Sequence, residues 1–417
     1  MTSSKTYDAK SAFLVFLTIY TITSALPAYS DPLTQALSEG SYTLQFRPRY
    51  EFVQQPGLDE AQAFTIRTML ALSSHQEYGL TGYVQFINVS SLLNHYNSLL
   101  NGKTQYSIIP DPEETGVNQF YIEYTGLRGI KARVGRQEIV LNDRRFVGNA
   151  NFFQTPQSFD AVSLHYSVDK HIRLFGAYIW RIKNILNQLE ASKTFLAQAS
   201  FVPNTFLHAD FFGYWYGNQS KTLIPGAAAC LLPGVQACND QIIGIRVAGN
   251  IPLTRSYRIQ YDDSYAKQLP YDSGSPLVNA SYAHGGAGLF WRNLGIHADY
   301  MVMGANKNGT YGFQTPLATK HLFNGWADIF LTTPKEGLKS LYFTAKAQWM
   351  NTKFLARYYS FYSSYHSVHY GHEVDLSAIH RIDSVWLFGA QYADFISADS
   401  LFKNTQAGWV FVNANFT

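Results

Sequence analysis

The sequence predicts an all-β protein, a transmembrane antiparallel up-and-down β-barrel of about eighteen strands. Three observations carry this. From Phe159 to Thr417, segments of roughly ten residues alternate large apolar or aromatic side chains with polar ones, and a turn cluster closes each. Tyr and Phe occur 29 times each, Trp 7 times and Gly 30 times, while charged residues make up only 15%, a balance suited to lipid contact. No stretch beyond the first thirty residues reaches the roughly 18 to 20 consecutive apolar residues of a membrane-spanning helix, so only a closed barrel offers a route across a bilayer. The mean hydropathy of -0.14 follows when half of the strand residues face a wet lumen.

The N-terminus has its own logic. Lys5 and Lys10 precede an apolar run from Ala12 to Leu26, and Ala28 and Ser30 are the small residues a signal peptidase reads before Asp31, so residues 1–30 are expected to be a cleaved signal peptide. The other reading is a retained anchor, but Thr18, Thr21, Thr23 and Ser24 interrupt a run already short for a span. Residues 31–417 contain no linker or composition shift and form one expected domain.

Alternation and turns together place strands near 42–53, 62–73, 79–89, 117–126, 130–141, 158–168, 171–182, 194–203, 206–217, 240–250, 255–266, 278–291, 294–304, 339–349, 352–362, 370–380, 384–395 and 406–416. Short connections such as Arg292-Asn293 alternate with longer ones at 90–116, 142–157, 183–193, 218–239, 267–277 and 305–338, the pattern of short periplasmic turns opposite long external loops. Residues 323–331 could be counted as a further strand. An odd total would leave the termini on opposite sides of the membrane, so the segment is assigned to a large external loop folded towards the pore.

Period two then sorts the side chains. Tyr42, Leu44, Phe46, Tyr50 and Phe52 share one parity, facing lipid, and Arg47, Arg49 and Glu51 the other. The same reading turns Arg67, Glu123, Lys131, Arg133, Lys346, Lys353, Arg357, Glu373 and Asp375 inwards. An Arg or Lys on the lipid face near the midplane costs about 2 to 4 kcal/mol, so this segregation is a physical requirement. The basic excess predicts a lumen that favours anions. A solvated ladder of salt bridges bracing the wall, without selectivity, is the competing reading.

Cys230 and Cys238 lie close together in a Pro/Gly/Ala-rich connection, where an exported chain is expected to close a small disulfide loop; two unpaired thiols are the alternative. Global charge, 32 Lys and Arg against 29 Asp and Glu, identifies no partner.

Several strings resemble the alginate export family of outer-membrane proteins: residues 131–148, from Lys131 through Arg136, Glu138, Asp143, Arg144 and Arg145 to Gly148; residues 153–161; Arg47-Pro48-Arg49-Tyr50-Glu51; residues 315–321 with 323–328; and Tyr370 to Leu376. The resemblance implies an eighteen-stranded monomeric barrel in the outer membrane of a Gram-negative bacterium, with an arginine-rich constriction that passes an anionic polyuronate and is partly closed by loops. It carries Arg47, Arg49, Arg67, Arg133, Arg136, Arg144 and Arg145 over as basic candidates, with Glu138 and Asp143 as acidic neighbours. Arg136 falls on the lipid parity counted from Arg133, so either a bulge at Gly135 re-aims it or it stands above the membrane.

Other classes find less support. The sequence holds no Gly-x-Ser-x-Gly elbow and no His-Glu-x-x-His helix, so no enzyme is expected. His366, His369 and His372 do not share one strand parity, and no metal or other cofactor is implied. Nucleic-acid binding has only scattered arginines behind it. The expected function is a passive outer-membrane channel with a basic lumen, surrounded by membrane lipid and lipopolysaccharide, conducting small anions or exporting an anionic polysaccharide; export would require periplasmic partners. A general diffusion porin, or a plugged barrel acting as an adhesin through its loops, are the alternatives.

Overall fold

A computed structural model of the chain describes residues 32–219 and 239–417. The expected signal peptide and the expected Cys230–Cys238 disulfide lie outside the described residues. A short helix, α1 (Pro32–Ser38), leads into eighteen strands: β1 (Ser41–Gln54), β2 (Ala61–Ser73), β3 (Leu80–His95), β4 (Glu114–Tyr124), β5 (Ile130–Gln137), β6 (Ser158–Ser167), β7 (Ile172–Lys183), β8 (Leu189–Asn204), β9 (Leu207–Tyr216), β10 (Asp240–Pro252), β11 (Tyr257–Pro270), β12 (Ala280–Trp291), β13 (Leu294–Met303), β14 (Leu338–Trp349), β15 (Thr352–Tyr362), β16 (His369–Arg381), β17 (Trp386–Ser397) and β18 (Thr405–Phe416). Each strand pairs antiparallel with the next, and β1 pairs with both β2 and β18, so no edge is left open.

Alternation is why these segments become strands of a membrane barrel. Along β2, Ala61, Ala63, Thr65, Arg67, Met69 and Ala71 are buried, while Phe64, Ile66, Leu70 and Leu72 face outwards. Large apolar residues such as Tyr42, Phe120, Ile296 and Trp349 stand exposed on the outer wall, where lipid meets them. Residues 323–331 form no strand, and the even count keeps both termini at the short-turn end. Four boundaries differ by four or more residues from the sequence reading, one of them the end of β11, which runs on to Pro270 instead of 266. β3 runs on to His95, β5 stops at Gln137, and β8 begins at Leu189, which shortens its connection to β7.

The buried core of this barrel is largely a plug. The connections 138–157 and 304–337 fold into the lumen and pair with each other through a parallel bridge, Val147 to Leu317. Gly148 N donates to Leu317 O at 2.8 Å, and Thr319 N to Arg144 O at 3.1 Å. A 3-10 turn, Lys320–Leu322, follows. Phe146 from the first connection packs on the wall rings of Phe212 and Tyr282, both at 5.2 Å between centroids, and on Phe313 of the second at 6.1 Å. Phe330 sits against Phe361 at 4.7 Å and Phe395 at 5.7 Å. These aromatic contacts remove apolar loop surface from water inside a polar tube.

Candidate functional site

The sequence-predicted residues fall into four groups around this plug. The first is a basic wall. Arg47 and Arg67 are register partners on β1 and β2, with Arg49 two residues along. All three side chains are almost completely buried, at 8, 5 and 2% exposure respectively. Arg47 Nε donates to Gln154 Oε1 at 2.9 Å, Nη1 to Asn151 O at 2.9 Å and Nη2 to Phe153 O at 2.5 Å. Arg49 Nη1 donates to Phe152 O at 2.7 Å, and its Nη2 pairs with Asp111 and, at 3.0 Å, with Glu51. Arg67 Nη1 donates to Asn151 Oδ1 at 2.7 Å. Buried guanidinium groups are tolerable only when their donors are satisfied. Here backbone carbonyls of residues 151–153 do much of that work, leaving two carboxylates against three arginines.

The second group is acidic. Glu373 and Asp375 of β16 are fully buried. They accept from plug amides: Ala327 N donates to Glu373 Oε1 at 2.9 Å and Trp326 N to Asp375 Oδ1 at 3.5 Å. The turn comes this close because residue 325 is glycine. Its φ is +89°, and a Cβ there would stand 2.4 Å from Glu373 Oε2. Arg357, the register partner of Asp375, donates to Thr344 Oγ1 at 2.9 Å and to Leu322 O at 3.4 Å.

Between the walls, Arg145 lies at the centre of the plug, buried, with its guanidinium 3.9 Å from the Phe323 ring centroid, 5.7 Å from that of Tyr282 and 3.6 Å from Asp143. Its neighbour Arg144 is exposed, with φ +72°. Glu138 accepts from Asn118 at 3.0 Å and from Asn149 at 2.6 Å, tying the start of the first connection to the wall. Burial pulls the Lys320 ammonium down to about 8.

The fourth group lines the lumen between the plug and the short-turn end. Its carboxylates are all answered. Glu123 pairs with Arg133 at 2.5 Å, Asp262 with Arg246, Asp210 with His208 at 3.0 Å and Arg246 at 3.6 Å, and Asp299 with His284 at 3.0 Å and His297 at 2.7 Å. Lys131, Arg173, Lys346 and Lys353 share the lumen parity of these strands and, among the described residues, have no carboxylate partner within ion-pair distance. Arg246 was missed by the sequence reading, although outward Ile243, Ile245 and Val247 set a parity that would have found it.

Arg136 is not with them. Gln137 accepts from the buried Ser163 at 2.7 Å, which fixes its side chain inwards, while Val134 and Arg136 share the outer row. Gly135 does have a φ of +124°, yet Arg136 remains outside, bonded to Asp160 at 2.7 and 3.1 Å. Among the described residues, no group of three His, Cys, Asp or Glu is arranged to hold a metal ion.

Solved structures share this architecture. OpdL of Pseudomonas aeruginosa superposes with a TM-score of 0.69 at 14% identity, covering 91% of this chain and 99% of its own. OccAB2 of Acinetobacter baumannii gives 0.69 at 12%, covering 92 and 99%, and OccD3 (OpdP) of Pseudomonas aeruginosa gives 0.68 at 12%, covering 92% of both. At these identities the likeness is one of fold. No curated protein matches the sequence. The sequence model of alginate export proteins matches residues 41–292, a span that takes in the basic wall, the first plug connection and the paired carboxylates of β4 to β11. The chain is an eighteen-stranded outer-membrane β-barrel and belongs to the alginate export family.

Proposed function

We infer that the protein is a passive channel selective for anions, whose plug limits access to a basic vestibule at the short-turn end. The observation that carries this is the imbalance below the plug. Among the described residues, every carboxylate there has a cationic or histidine partner, whereas Lys131, Arg173, Lys346 and Lys353 have no carboxylate partner within ion-pair distance. In a narrow low-dielectric tube, unanswered cations raise the local concentration of anions and of polyanions alike. An anionic polysaccharide such as a polyuronate suits a wall where cations repeat around the circumference, because one chain engages several at once. A passive pore follows whichever gradient exists, and no energy source is part of this reading.

The plug itself favours a second reading, in which the barrel is closed and acts through its external loops. One experiment separates the two. The refolded full chain is placed in a planar bilayer under a KCl gradient, and single-channel conductance and reversal potential are recorded with and without polymannuronate on one side. Anion-selective current blocked by the polymer supports the channel reading, and its selectivity should fall in a Lys131→Ser, Lys346→Ser, Lys353→Ser variant. Unselective current that the polymer leaves alone reduces the protein to a general porin. Absence of current from folded protein favours the closed barrel.

A further inference from the structure

Charge on the lipid-facing wall is costly, yet one region of that wall carries it in a connected row. Arg136 of β5, Asp160 of β6 and Arg181 of β7 are successive register partners. They share the outer face with Val134, Val162 and Leu164. In β7 a bulge between Ile179 and Arg181 lets Trp180 and Arg181 both point outwards, while Ile179 and Ile182 are buried. On β8 the register partner of Arg181 is Ala191, and the exposed Lys193 stands two residues further along the same outer face. All of these lie near the long-loop ends of their strands, level with or just beyond the exposed aromatic residues Phe120 and Trp180. That is the headgroup boundary of the outer leaflet, where aromatic girdles sit.

The bonding within the row is uneven. Arg136 grips both oxygens of Asp160, through Nε at 2.7 Å and Nη2 at 3.1 Å, and spends Nη1 on Val117 O at 3.3 Å. Arg181 has only a 3.8 Å ion pair with Asp160 Oδ2, too long for a hydrogen bond, and 48% of its side chain is exposed. Asp160 therefore orients Arg181 without using its donor fork. Three cations against one carboxylate leave a net positive patch beside an apolar wall, and a guanidinium fork matches the oxygens of a phosphate.

We propose that this patch holds the phosphate of a phosphorylated glycolipid of the outer leaflet, with Arg181 and Lys193 as the donors and the Arg136–Asp160 pair setting the position of Arg181. Trp180 covers the adjoining sugar or the upper acyl chain. The site faces lipid rather than the lumen and does not depend on what the channel conducts.

The test is binding of bisphosphorylated lipid A to the refolded, delipidated full chain in detergent, followed by native mass spectrometry. Dephosphorylated lipid A and inorganic phosphate serve as comparison ligands. The wild type should bind bisphosphorylated lipid A with defined stoichiometry, the Arg181→Gln, Lys193→Gln variant about tenfold more weakly for the lost charge-assisted bonds, and a Lys339→Gln control, altered on the far side of the barrel, as well as the wild type. Arg181→Lys should recover part of the affinity, and heat-modifiable mobility in gels confirms that each variant is folded. Equal binding by the double variant, or equal binding of dephosphorylated lipid A, overturns the proposal. Inorganic phosphate that binds alone with the same sensitivity to the variant would replace the lipid with a free anion and overturn it as well.

Discussion

The β1–β2 wall and the β16 wall hold one plug by opposite chemistry. Arg47, Arg49 and Arg67 donate to loop carbonyls and to two loop side-chain amide oxygens, whereas Glu373 and Asp375 accept from loop N–H groups. The basic side is anchored redundantly, several donors reaching three consecutive carbonyls, and it encloses two carboxylates, Glu51 and Asp111, that among the described residues share Arg49 as their ion-pair partner, Asp111 also accepting from Gln154 N at 2.8 Å. The acidic side depends on one tight turn at Gly325. The contrast implies that the two connections differ in how they fail: the first through uncompensated charge, the second through geometry.

The largest effect is expected at Arg49. Its replacement by Met leaves Glu51 and Asp111 buried without their shared cation, and breaking a buried pair in this way costs about 3 to 5 kcal/mol. The first connection should leave the lumen and single-channel conductance should rise several-fold. Urea titration in detergent and bilayer recording check this, and unchanged conductance in folded Arg49→Met would show that the arginine wall is a brace unrelated to the opening.

On the acidic side the expected losses are smaller. Glu373→Ala removes the acceptor of the Ala327 amide and leaves that donor buried, a cost of about 1 to 3 kcal/mol, which Glu373→Gln should largely recover because its carbonyl still accepts. Gly325→Ala should disturb the same turn by demanding a left-handed φ and displacing Glu373, at a cost of about 1 to 2 kcal/mol. Limited proteolysis across residues 320–332 reads both. Cleavage that accelerates equally across residues 142–157 would contradict the independence of the two anchorages and show instead that the Val147–Leu317 bridge transmits the release.

These two walls also mark where the sequence was informative and where it was not. Strand number and the inward parity of Arg47, Arg67, Arg133, Arg357 and Glu373 were legible because period two and the cost of charge in lipid leave few alternatives. Placing 323–331 outside the strand set followed from closure and from the short/long alternation of the connections at 350–352 and 363–369. The anchorage was not legible, because the acceptors for Arg47 and Arg49 are main-chain carbonyls of residues 151–153, which carry no side-chain signature. The resemblance joined the arginines and the 153–161 string in one family without indicating that one grips the segment beside the other. Arg136 follows the parity counted from Arg133: Gly135 has a positive φ, but the register runs through it without a shift on either side, and Arg136 faces out.

The smallest effect separates fixed charge from titratable charge. The arginines of β1 and β2 keep their charge throughout the accessible range, so a change in ion preference between pH 7 and 9 must arise elsewhere, and Lys320 in the plug is the group placed to cause it. Burial lowers its folded value to about 8, below the ordinary 10.5. Between those two values the unfolded loop binds more protons than the folded one, so the folded loop gains stability as pH rises through that window. The same rise removes one positive charge from the lumen. Reversal potentials recorded at pH 7 and pH 9 should therefore move modestly away from anion preference in the wild type, and the plug should become more resistant to protease. Lys320→Met should give the pH 9 behaviour at both values, and Lys320→Arg should keep the pH 7 selectivity at both. A shift that survives Lys320→Met would assign the titration to the vestibule lysines and return the charge that matters to the barrel wall.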